Sequence, residues 1–236
     1  MRTGNLALAT VAGAALLTAA ALPATAQPAH APAVAKARPL QEGSVSAADL
    51  LAKLKGCDQL SNGKYRTDEE TSATVPVCGK NGAVFWKADM DIDCDGQITD
   101  RCNKQTDPWF QDDTRFHQSD GEPLNAAELP FVVVPSSSGI WDYTKHGIKG
   151  GGVVAIIYNN QVEYAAVGDT GPDKIIGEAS YAAAKNLGID PDPETGGADS
   201  GVTYLLFKNS RATPIESHEA AISRGDELAK KFLGEN

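Results

Sequence analysis

The chain has 236 residues and a formal net charge of −10, with 31 acidic residues against 21 basic ones. This excess of negative charge argues against nucleic acid and against an anionic membrane surface as partners, and it would suit a cationic substrate. The length is sufficient for one domain with a substantial hydrophobic core.

The N-terminal residues are predicted to lie outside the folded domain. Residues 1–26 have the pattern of a secretory signal peptide, in which Arg2 precedes an apolar stretch and Ala24-Thr-Ala forms a small-residue cleavage site. A membrane anchor is the alternative, but the stretch is rich in small residues, and no later segment is long and apolar enough to span a bilayer. Residues 27–42 are rich in Ala and Pro and are predicted to form a disordered leader. We therefore expect a secreted, extracellular protein in which residues 43–236 form a single domain.

The predicted elements of the domain begin with a short helix and then become mainly strands. Ser46 is a suitable N-cap for a helix that continues to Leu54. Short apolar runs separated by turns then indicate a closed or sandwiched β-structure. Two helical patterns follow near the C-terminus, the first with a Ser cap and the second weakened by Gly225. The predicted strands are 83–92, 131–135, 152–158, 162–167 and 202–207, and the late helices are 180–188 and 217–233.

Four cysteines in a chain with an export signal suggest two disulfides. Three pairings are possible, and sequence order favours Cys57–Cys78 and Cys94–Cys102. The spacing is not typical of a zinc site, because no C-x-x-C pair occurs.

The strand after Ala83 ends in alternating acids, Asp89-Met-Asp-Ile-Asp-Cys-Asp-Gly. This resembles the start of an EF-hand calcium loop, but counting from Asp91, position 12 is Cys102 rather than the glutamate that closes such a loop. Two interpretations remain open. The first is a looser structural calcium site at Asp91, Asp93 and Asp95, and the second is an acidic strand whose Asp91 and Asp93 face a cleft and bind cationic sugars.

Two further segments combine aromatic rings with acids, as sugar-binding grooves do. The first is Trp109-Phe-Gln-Asp112-Asp113, and the second is Trp141-Asp142-Tyr. We predict that Asp112, Asp113, Trp141 and Asp142 contact substrate; the alternative is that the rings are buried in the core. A serine nucleophile is not indicated, because the G-x-S-x-G pattern is absent.

The segment from Tyr164 to Ser180 has a carboxylate on each side of a Gly-Pro turn, Asp169 and Glu178. Hydrolysis of a glycosidic bond requires two carboxyl groups that face each other across a cleft. Spacing alone favours the simpler alternative of a Gly-Asp turn and an acid near the start of a helix.

These motifs together resemble glycoside hydrolase family 75, the chitosanases of fungi and actinomycetes. The resemblance covers roughly residues 80–235 and includes the acidic strand, Phe110-Gln-Asp-Asp-Thr, Leu129-Pro-Phe-Val-Val-Val-Pro, Gly168-Asp-Thr-Gly-Pro, Ile176-Gly-Glu-Ala-Ser and Gly201-Val-Thr-Tyr. It implies that Asp169 and Glu178 are the essential carboxylates of an inverting endo-chitosanase, which would act as a monomer on chitosan without a cofactor.

A more distant likeness concerns the fold. Residues 167–189 resemble the second half of a double-psi β-barrel, so we expect a mainly β (α+β) domain with a six-stranded double-psi-like barrel and flanking helices. This analogy favours Asp169 as general acid and Glu178 as the base that activates water. It also leaves two alternatives open, a peptidoglycan-directed glycosidase or lytic transglycosylase, and a non-catalytic expansin-like polysaccharide-binding protein.

Overall fold

The structure is a computed structural model that describes residues 40–234. The predicted signal peptide and residues 27–39 of the predicted leader lie outside the described residues. The described part contains eight strands: β1 (Asp58–Gln59), β2 (Cys78–Lys80), β3 (Ala83–Asp93), β4 (Phe131–Pro135), β5 (Val153–Tyr158), β6 (Gln161–Gly171), β7 (Glu178–Ser180) and β8 (Ala198–Phe207). It also contains the helices α1 (Ala47–Lys53), α2 (Tyr181–Asn186) and α3 (His218–Leu233), and a 3₁₀ turn at Tyr143–His146.

Six of these strands close into a barrel. The hydrogen-bonded order is β3–β7–β4–β6–β5–β8, and β8 pairs with β3 to complete the ring. Two of the pairings, β3–β7 and β4–β6, are parallel, and the other four are antiparallel. The predicted α+β fold with a six-stranded barrel is therefore confirmed. Within the closed ring each of these six strands has a hydrogen-bonded neighbour on both sides. Closure therefore removes the open strand edges through which sheets of different molecules can associate.

Side chains that point inward at alternate positions of the strands fill the barrel interior. In β3, Val84, Trp86 and Met90 face inward, and Trp86 stacks on Tyr204 of β8 with ring centroids 5.4 Å apart. The β5–β6 connection is a two-residue turn in which Asn159 and Asn160 both have positive φ. Asparagine tolerates this conformation, and the predicted hairpin is confirmed.

The three helices begin at the serines that the sequence indicated. The hydroxyls of Ser46, Ser180 and Ser217 accept hydrogen bonds from backbone amides in the first turns of α1, α2 and α3. Such caps satisfy amides that otherwise lack a partner, and each contributes about 1 kcal/mol. Gly225, which lowers the helix propensity of α3, is required by packing, because a Cβ there would lie 2.2 Å from a ring carbon of Tyr164.

The last three residues of the predicted leader are part of the fold, which corrects that boundary. Gln41 forms a parallel bridge with Val162, and the amide of Val162 donates to the carbonyl of Leu40. Residues 161–165 of β6 precede its pairing with β4, so segment 40–42 covers an edge that would otherwise be open.

Both favoured disulfides are present, Cys57–Cys78 and Cys94–Cys102. The first joins the segment after α1 to β2, and the second closes a nine-residue loop directly after β3. None of the helices within residues 40–234 is long and apolar enough to cross a membrane.

Candidate active site

Asp169 and Glu178 lie on one outer face of the barrel, in a row that crosses four adjacent strands. Asp91 of β3 is in register with Glu178 of β7, Glu178 with Val133 of β4, and Val133 with Asp169 of β6. Residues in register on neighbouring strands point to the same side of a sheet. The sheet thus presents three carboxylates in a line.

A β-bulge places Asp169 in this row. Val167 faces the barrel interior, and strict alternation would send Asp169 to the interior as well. The register between β4 and β6 instead shifts between Val132 and Val133, so Gly168 is an extra residue and Asp169 lies beside Val133 on the outside. Only glycine fits at the bulge, because a Cβ on Gly168 would be 2.5 Å from the ring of Phe131.

One strand separates the two carboxylates. Asp169 and Glu178 flank Val133 on β6 and β7, so their backbones are about two strand spacings, roughly 10 Å, apart. Inverting glycosidases hold their carboxyl groups about 6.5–9.5 Å apart, which leaves room for the attacking water. The backbone arrangement is compatible with that range.

Asp169 is buried, and its carboxylate accepts two backbone hydrogen bonds. The amide of Arg115 donates to Oδ1 over 2.8 Å, and the amide of Thr170 donates to the same oxygen over 2.6 Å. Burial raises the pKa of Asp169, whereas both hydrogen bonds act in the opposite direction. The two amides stabilise the ionised form, because a carboxylate is a better acceptor than a carboxylic acid.

Glu178 has a different environment. It lines a cavity of about 290 Å³ together with Asp91, Asp95 and Asp107. Burial raises the pKa of Glu178 to about 8, and the negative charges of Asp91, Asp95, Asp169 and Asp107 contribute in that order. One of its carboxyl oxygens leans toward β6, since a Cβ on Gly171 would lie 3.0 Å from Oε2.

The acids at the end of β3 organise the loop that follows. Oδ1 of buried Asp93 accepts the amide of Asp95 over 2.6 Å, and Oδ1 of Asp95 accepts the amide of Gln111 over 2.6 Å. Burial raises the pKa of Asp93 well above its ordinary value, with a further contribution from Glu178. Burial also raises the pKa of Asp89 to about 7 and of Asp95 to about 6.

The calcium site at Asp91, Asp93 and Asp95 stays a prediction. Within residues 40–234, the one trio whose potential ligand atoms all lie within 4.8 Å of one another is Glu42, Glu163 and His218, which is elsewhere in the fold. Asp93 and Asp95 each use a carboxylate oxygen on a backbone amide, as the preceding contacts show.

The predicted substrate ligands Asp112 and Asp113 are adjacent in sequence but point to different cavities. Asp113 lines a cavity of about 390 Å³ with Asp169 and Arg115, and its Oδ1 lies 2.7 Å from Nε2 of His117. Asp112 instead lines a separate groove that neither Asp169 nor Glu178 lines. Of this pair, only Asp113 is brought to the candidate site.

The structure corrects the prediction for Trp141, while that for Asp142 stays a prediction. Trp141 is 2% exposed and packs edge-on against Trp86 in the barrel core, so it presents no face on which a sugar could stack. Asp142 caps the 3₁₀ turn, where its carboxylate accepts from the amide and hydroxyl of Thr144. Neither residue lines a cavity that contains Asp169 or Glu178.

Two residues at the site were not among the predicted ligands. Trp109 is 84% exposed at the mouth of the Glu178 cavity, and the carboxylate of buried Asp107 accepts its backbone amide over 2.8 Å. Trp109 and Trp141 both stand beside acids in the sequence, which therefore gave no signal to separate the exposed ring from the buried one.

Comparison with known proteins identifies a family and several named relatives. The profile of the family described as "Fungal chitosanase of glycosyl hydrolase group 75" matches residues 90–232. Endo-chitosanase C of Aspergillus oryzae is 34% identical over 136 residues, which cover 56% of this chain and 33% of that protein. An endo-chitosanase of Aspergillus oryzae (strain ATCC 42149 / RIB 40) is 32% identical over 149 residues, 58% of this chain and 60% of the relative.

An endo-chitosanase of Aspergillus fumigatus is 30% identical over 178 residues, 66% of this chain and 71% of that protein. The matched region spans from 33% to 60% of the length of the Aspergillus oryzae relatives named above. Because the family profile covers more than half of the chain and includes the acidic end of β3, the bulge and both carboxylates, this protein belongs to glycosyl hydrolase group 75.

Proposed function

We propose that this protein is a secreted endo-chitosanase that hydrolyses β-1,4 bonds between glucosamine units with inversion of configuration. The observation that carries the proposal is the row of Asp169, Val133 and Glu178 on one outer face, with the two carboxylates a strand apart. The relatives named as endo-chitosanases support the substrate.

The surroundings of the two carboxylates favour Glu178 as general acid and Asp169 as general base. A general acid must still hold its proton at the working pH, and burial among negative charges provides this for Glu178. The base must be ionised, and two backbone amides stabilise that form of Asp169. This order is the reverse of the one that the barrel analogy favoured.

In the proposed reaction, Glu178 protonates the glycosidic oxygen of the leaving sugar. Asp169 removes a proton from a water molecule that attacks the anomeric carbon from the opposite face. The water would occupy the space over Val133, between the two carboxylates. Each turnover leaves Glu178 ionised and Asp169 protonated, and exchange with solvent restores both.

The charge of the site suits a polymer of protonated glucosamine. Asp91, Asp95, Asp107 and Glu194 surround Glu178, and Asp113 accompanies Asp169. A cationic sugar would offset the mutual repulsion of these acids, which a neutral sugar would not. The exposed ring of Trp109 is placed to stack on the apolar face of a sugar.

Asp169→Asn and Glu178→Gln test the catalytic pair. Each variant should fold normally and lose about a thousandfold or more of the rate at which reducing ends form on soluble chitosan. Asp142→Asn is the matched control, because this acid was also predicted from sequence but caps a turn outside the site; its activity should be retained. Near-normal turnover by either catalytic variant would show that the assignment is wrong.

The products separate the proposed reaction from the alternatives. Hydrolysis with inversion should produce reducing ends that are initially α-anomers, as seen by proton NMR, and product masses that include one added water. Anhydro-sugar ends would indicate a lytic transglycosylase, and a loss of viscosity without new ends would indicate an expansin-like protein.

Secretion, a monomeric state and the lack of a cofactor are part of the same proposal. The two disulfides support export to an oxidising compartment, where such bonds persist. Measuring the mass of the purified enzyme in solution tests the monomer.

A further inference from the structure

A second group of titratable side chains lies on the other part of β6, away from the catalytic row. Glu42 comes from the segment that covers the edge of β6, Glu163 from β6 itself, and His218 is the first residue of α3. One potential ligand atom from each lies within 4.8 Å of the others. The proposed reaction uses none of these three residues.

Two atoms in this group are buried and, within residues 40–234, have no hydrogen-bond partner: Oε2 of Glu163 and Nε2 of His218. Glu163 is fully buried, and its Oε1 already accepts a hydrogen bond from the side-chain amide of Asn186 over 2.8 Å. A buried carboxylate oxygen without a partner keeps its full desolvation penalty, because no hydrogen bond offsets the loss of water. Such an atom in a native fold indicates a missing partner.

The spacing of His218 and Glu42 fits two ligands of one ion. Nε2 of His218 lies 3.1 Å from Oε1 of Glu42, which is an ion-pair distance, although the two atoms do not meet the geometry of a hydrogen bond. Ligands at about 2.0–2.1 Å from a tetrahedral zinc ion are about 3.3 Å apart, close to this separation.

We propose that Glu42, Glu163 and His218 form a binding site for a divalent transition-metal ion, with Zn²⁺ as the best fit. Two carboxylates and one imidazole are a ligand set that zinc accepts, whereas calcium prefers oxygen ligands alone. A water molecule would complete the tetrahedron.

The neighbours of the site hold its ligands in place, as the outer partners of metal ligands do. Asn186 fixes one oxygen of Glu163, and the amide of Tyr164 donates to Oε2 of Glu42 over 2.6 Å. His218 also lines an open groove of about 880 Å³ whose wall carries the acids Asp120, Glu122, Glu128 and Glu216.

The ion would join three segments that are far apart in sequence. Segment 40–42, β6 and α3 each contribute one ligand, so the metal would fasten the N-terminal end of the described chain to the barrel. The consequence is stabilisation of the folded protein by mass action, because the unfolded chain does not bring the three ligands together.

Zinc titration of the purified, metal-free enzyme tests the site. Wild type should bind one Zn²⁺ by calorimetry, and at about 100 times Kd its Tm should rise by roughly 5–10 °C. Glu163→Gln and His218→Gln should each weaken binding at least tenfold. His117→Gln is the matched control, since His117 is also paired with a carboxylate but is exposed and lies at a different cavity.

Several results would overturn the proposal: no zinc binding by wild type, or binding that His117→Gln removes and Glu163→Gln does not. If Ca²⁺ but not Zn²⁺ raises Tm and the effect survives in His218→Gln, the metal belongs to the acidic strand and the site proposed here is wrong. Anomalous scattering at the zinc edge from wild-type crystals tests the position without relying on the folding of any variant.

Discussion

At the scale of single residues, the proposed catalytic pair illustrates how one functional group can take two roles. Asp169 and Glu178 are both carboxylic acids on the same face, but Asp169 receives two backbone amides, while Glu178 stands among Asp91, Asp95 and Asp107. Amide dipoles favour the ionised form, and nearby negative charges favour the protonated form. In the proposed mechanism, the two roles therefore follow from the difference in neighbours, because the two functional groups are the same.

Asp91→Asn should shift the pH dependence of the enzyme. Burial is the largest cause of the raised pKa of Glu178, which is about 8, and the negative charge of Asp91 is the second largest. Removing this charge makes loss of the proton from Glu178 easier, so the pKa falls and the alkaline limb of the kcat/KM profile moves to lower pH. Full profiles on a soluble chitosan oligomer measure the effect.

The control for this prediction is Asp142→Asn, which removes a charge of the same kind outside the site and should leave the alkaline limb where it is. A limb that stays fixed in Asp91→Asn, or moves to higher pH, would mean that Glu178 is not the group that must hold a proton.

The residue scale also shows what sequence could and could not determine. Asp169 and Glu178 were located because both lie in motifs shared with one family, although their spacing alone favoured a simpler interpretation. The sequence draws attention to both Trp109 and Trp141 but does not show which of them is exposed. Exposure depends on which elements cover a ring, and Trp141 is covered by the barrel core.

At the scale of elements, β6 has to bring Asp169 outward and still leave space for Glu178. The bulge at Gly168 performs the first task, and the missing side chain of Gly171 performs the second. Strand β6 therefore combines two long-range constraints, one from Phe131 and one from Glu178, that no local pattern in its own sequence reveals.

Gly171→Ala should lower activity with little effect on stability. Its Cβ would lie 3.0 Å from Oε2 of Glu178 and 3.1 Å from Val133, so the carboxyl group must move. Displacing a catalytic group by a fraction of an ångström to 1 Å costs on the order of tenfold to a hundredfold in rate. Steady-state kinetics and a thermal melt measure the two effects separately.

Gly139→Ala is the matched control, because a Cβ at that position meets nothing within 4 Å. It should have near-normal activity. Equal activity of the two alanine variants would contradict the placement of the Glu178 carboxyl beside β6.

The two disulfides should differ in what they support. The sequence separation is 21 for Cys57–Cys78 and 8 for Cys94–Cys102, so loop-closure entropy assigns the first about 0.8 kcal/mol more stabilisation. The second lies directly after Asp93 and constrains the loop that contains Asp95. We expect the Cys57→Ala/Cys78→Ala variant to lose more Tm, and the Cys94→Ala/Cys102→Ala variant to lose more kcat.

Each double variant is the control for the other, measured by the same melt and the same assay. If both pairs lower Tm and kcat in the same proportion, the Cys94–Cys102 loop has no special connection to the site.

Most elements could be predicted from sequence because their signals are local. The runs Phe131–Pro135 and Val153–Tyr158 are β-branched and apolar, and the capping serines mark the helix starts. Strand β7 was not predicted: it has only three residues, Glu178–Ser180, and exists because β3 and β4 pair with it from both sides. The bulge at Gly168 was not predicted either, because it depends on the pairing of β6 with β4 and not on a local pattern.

At the scale of the whole molecule, the fold concentrates acids instead of dispersing them. The net charge of −10 could have been spread over the surface for solubility alone. The structure instead collects Asp89, Asp91, Asp93, Asp95, Asp169 and Glu178 at one end of β3, β6 and β7. Function at such a site requires a fold that tolerates their repulsion when no cationic substrate is bound.

The cost of this concentration should appear as a loss of stability with rising pH. Burial raises the pKa of Asp89 to about 7, of Asp95 to about 6 and of Glu178 to about 8, all above their values in an unfolded chain. Groups with a raised pKa stabilise the fold fully below the unfolded value, and this stability is lost as pH rises through the folded values. We therefore expect Tm to fall by roughly 5–10 °C between about pH 5 and pH 8, a few kcal/mol for a domain of this size.

Asp93→Asn should reduce this slope, because the buried Asp93 is one of the groups whose pKa is raised, and asparagine does not ionise. Asp192→Asn is the control: two backbone amides lower the pKa of this exposed acid, so its contribution is already complete at pH 5 and constant up to pH 8. That variant should shift Tm equally at both pH values. Thermal melts of the three proteins across the range decide the matter, and a wild-type Tm that stays level or rises would mean that the clustered acids ionise in the folded protein without cost.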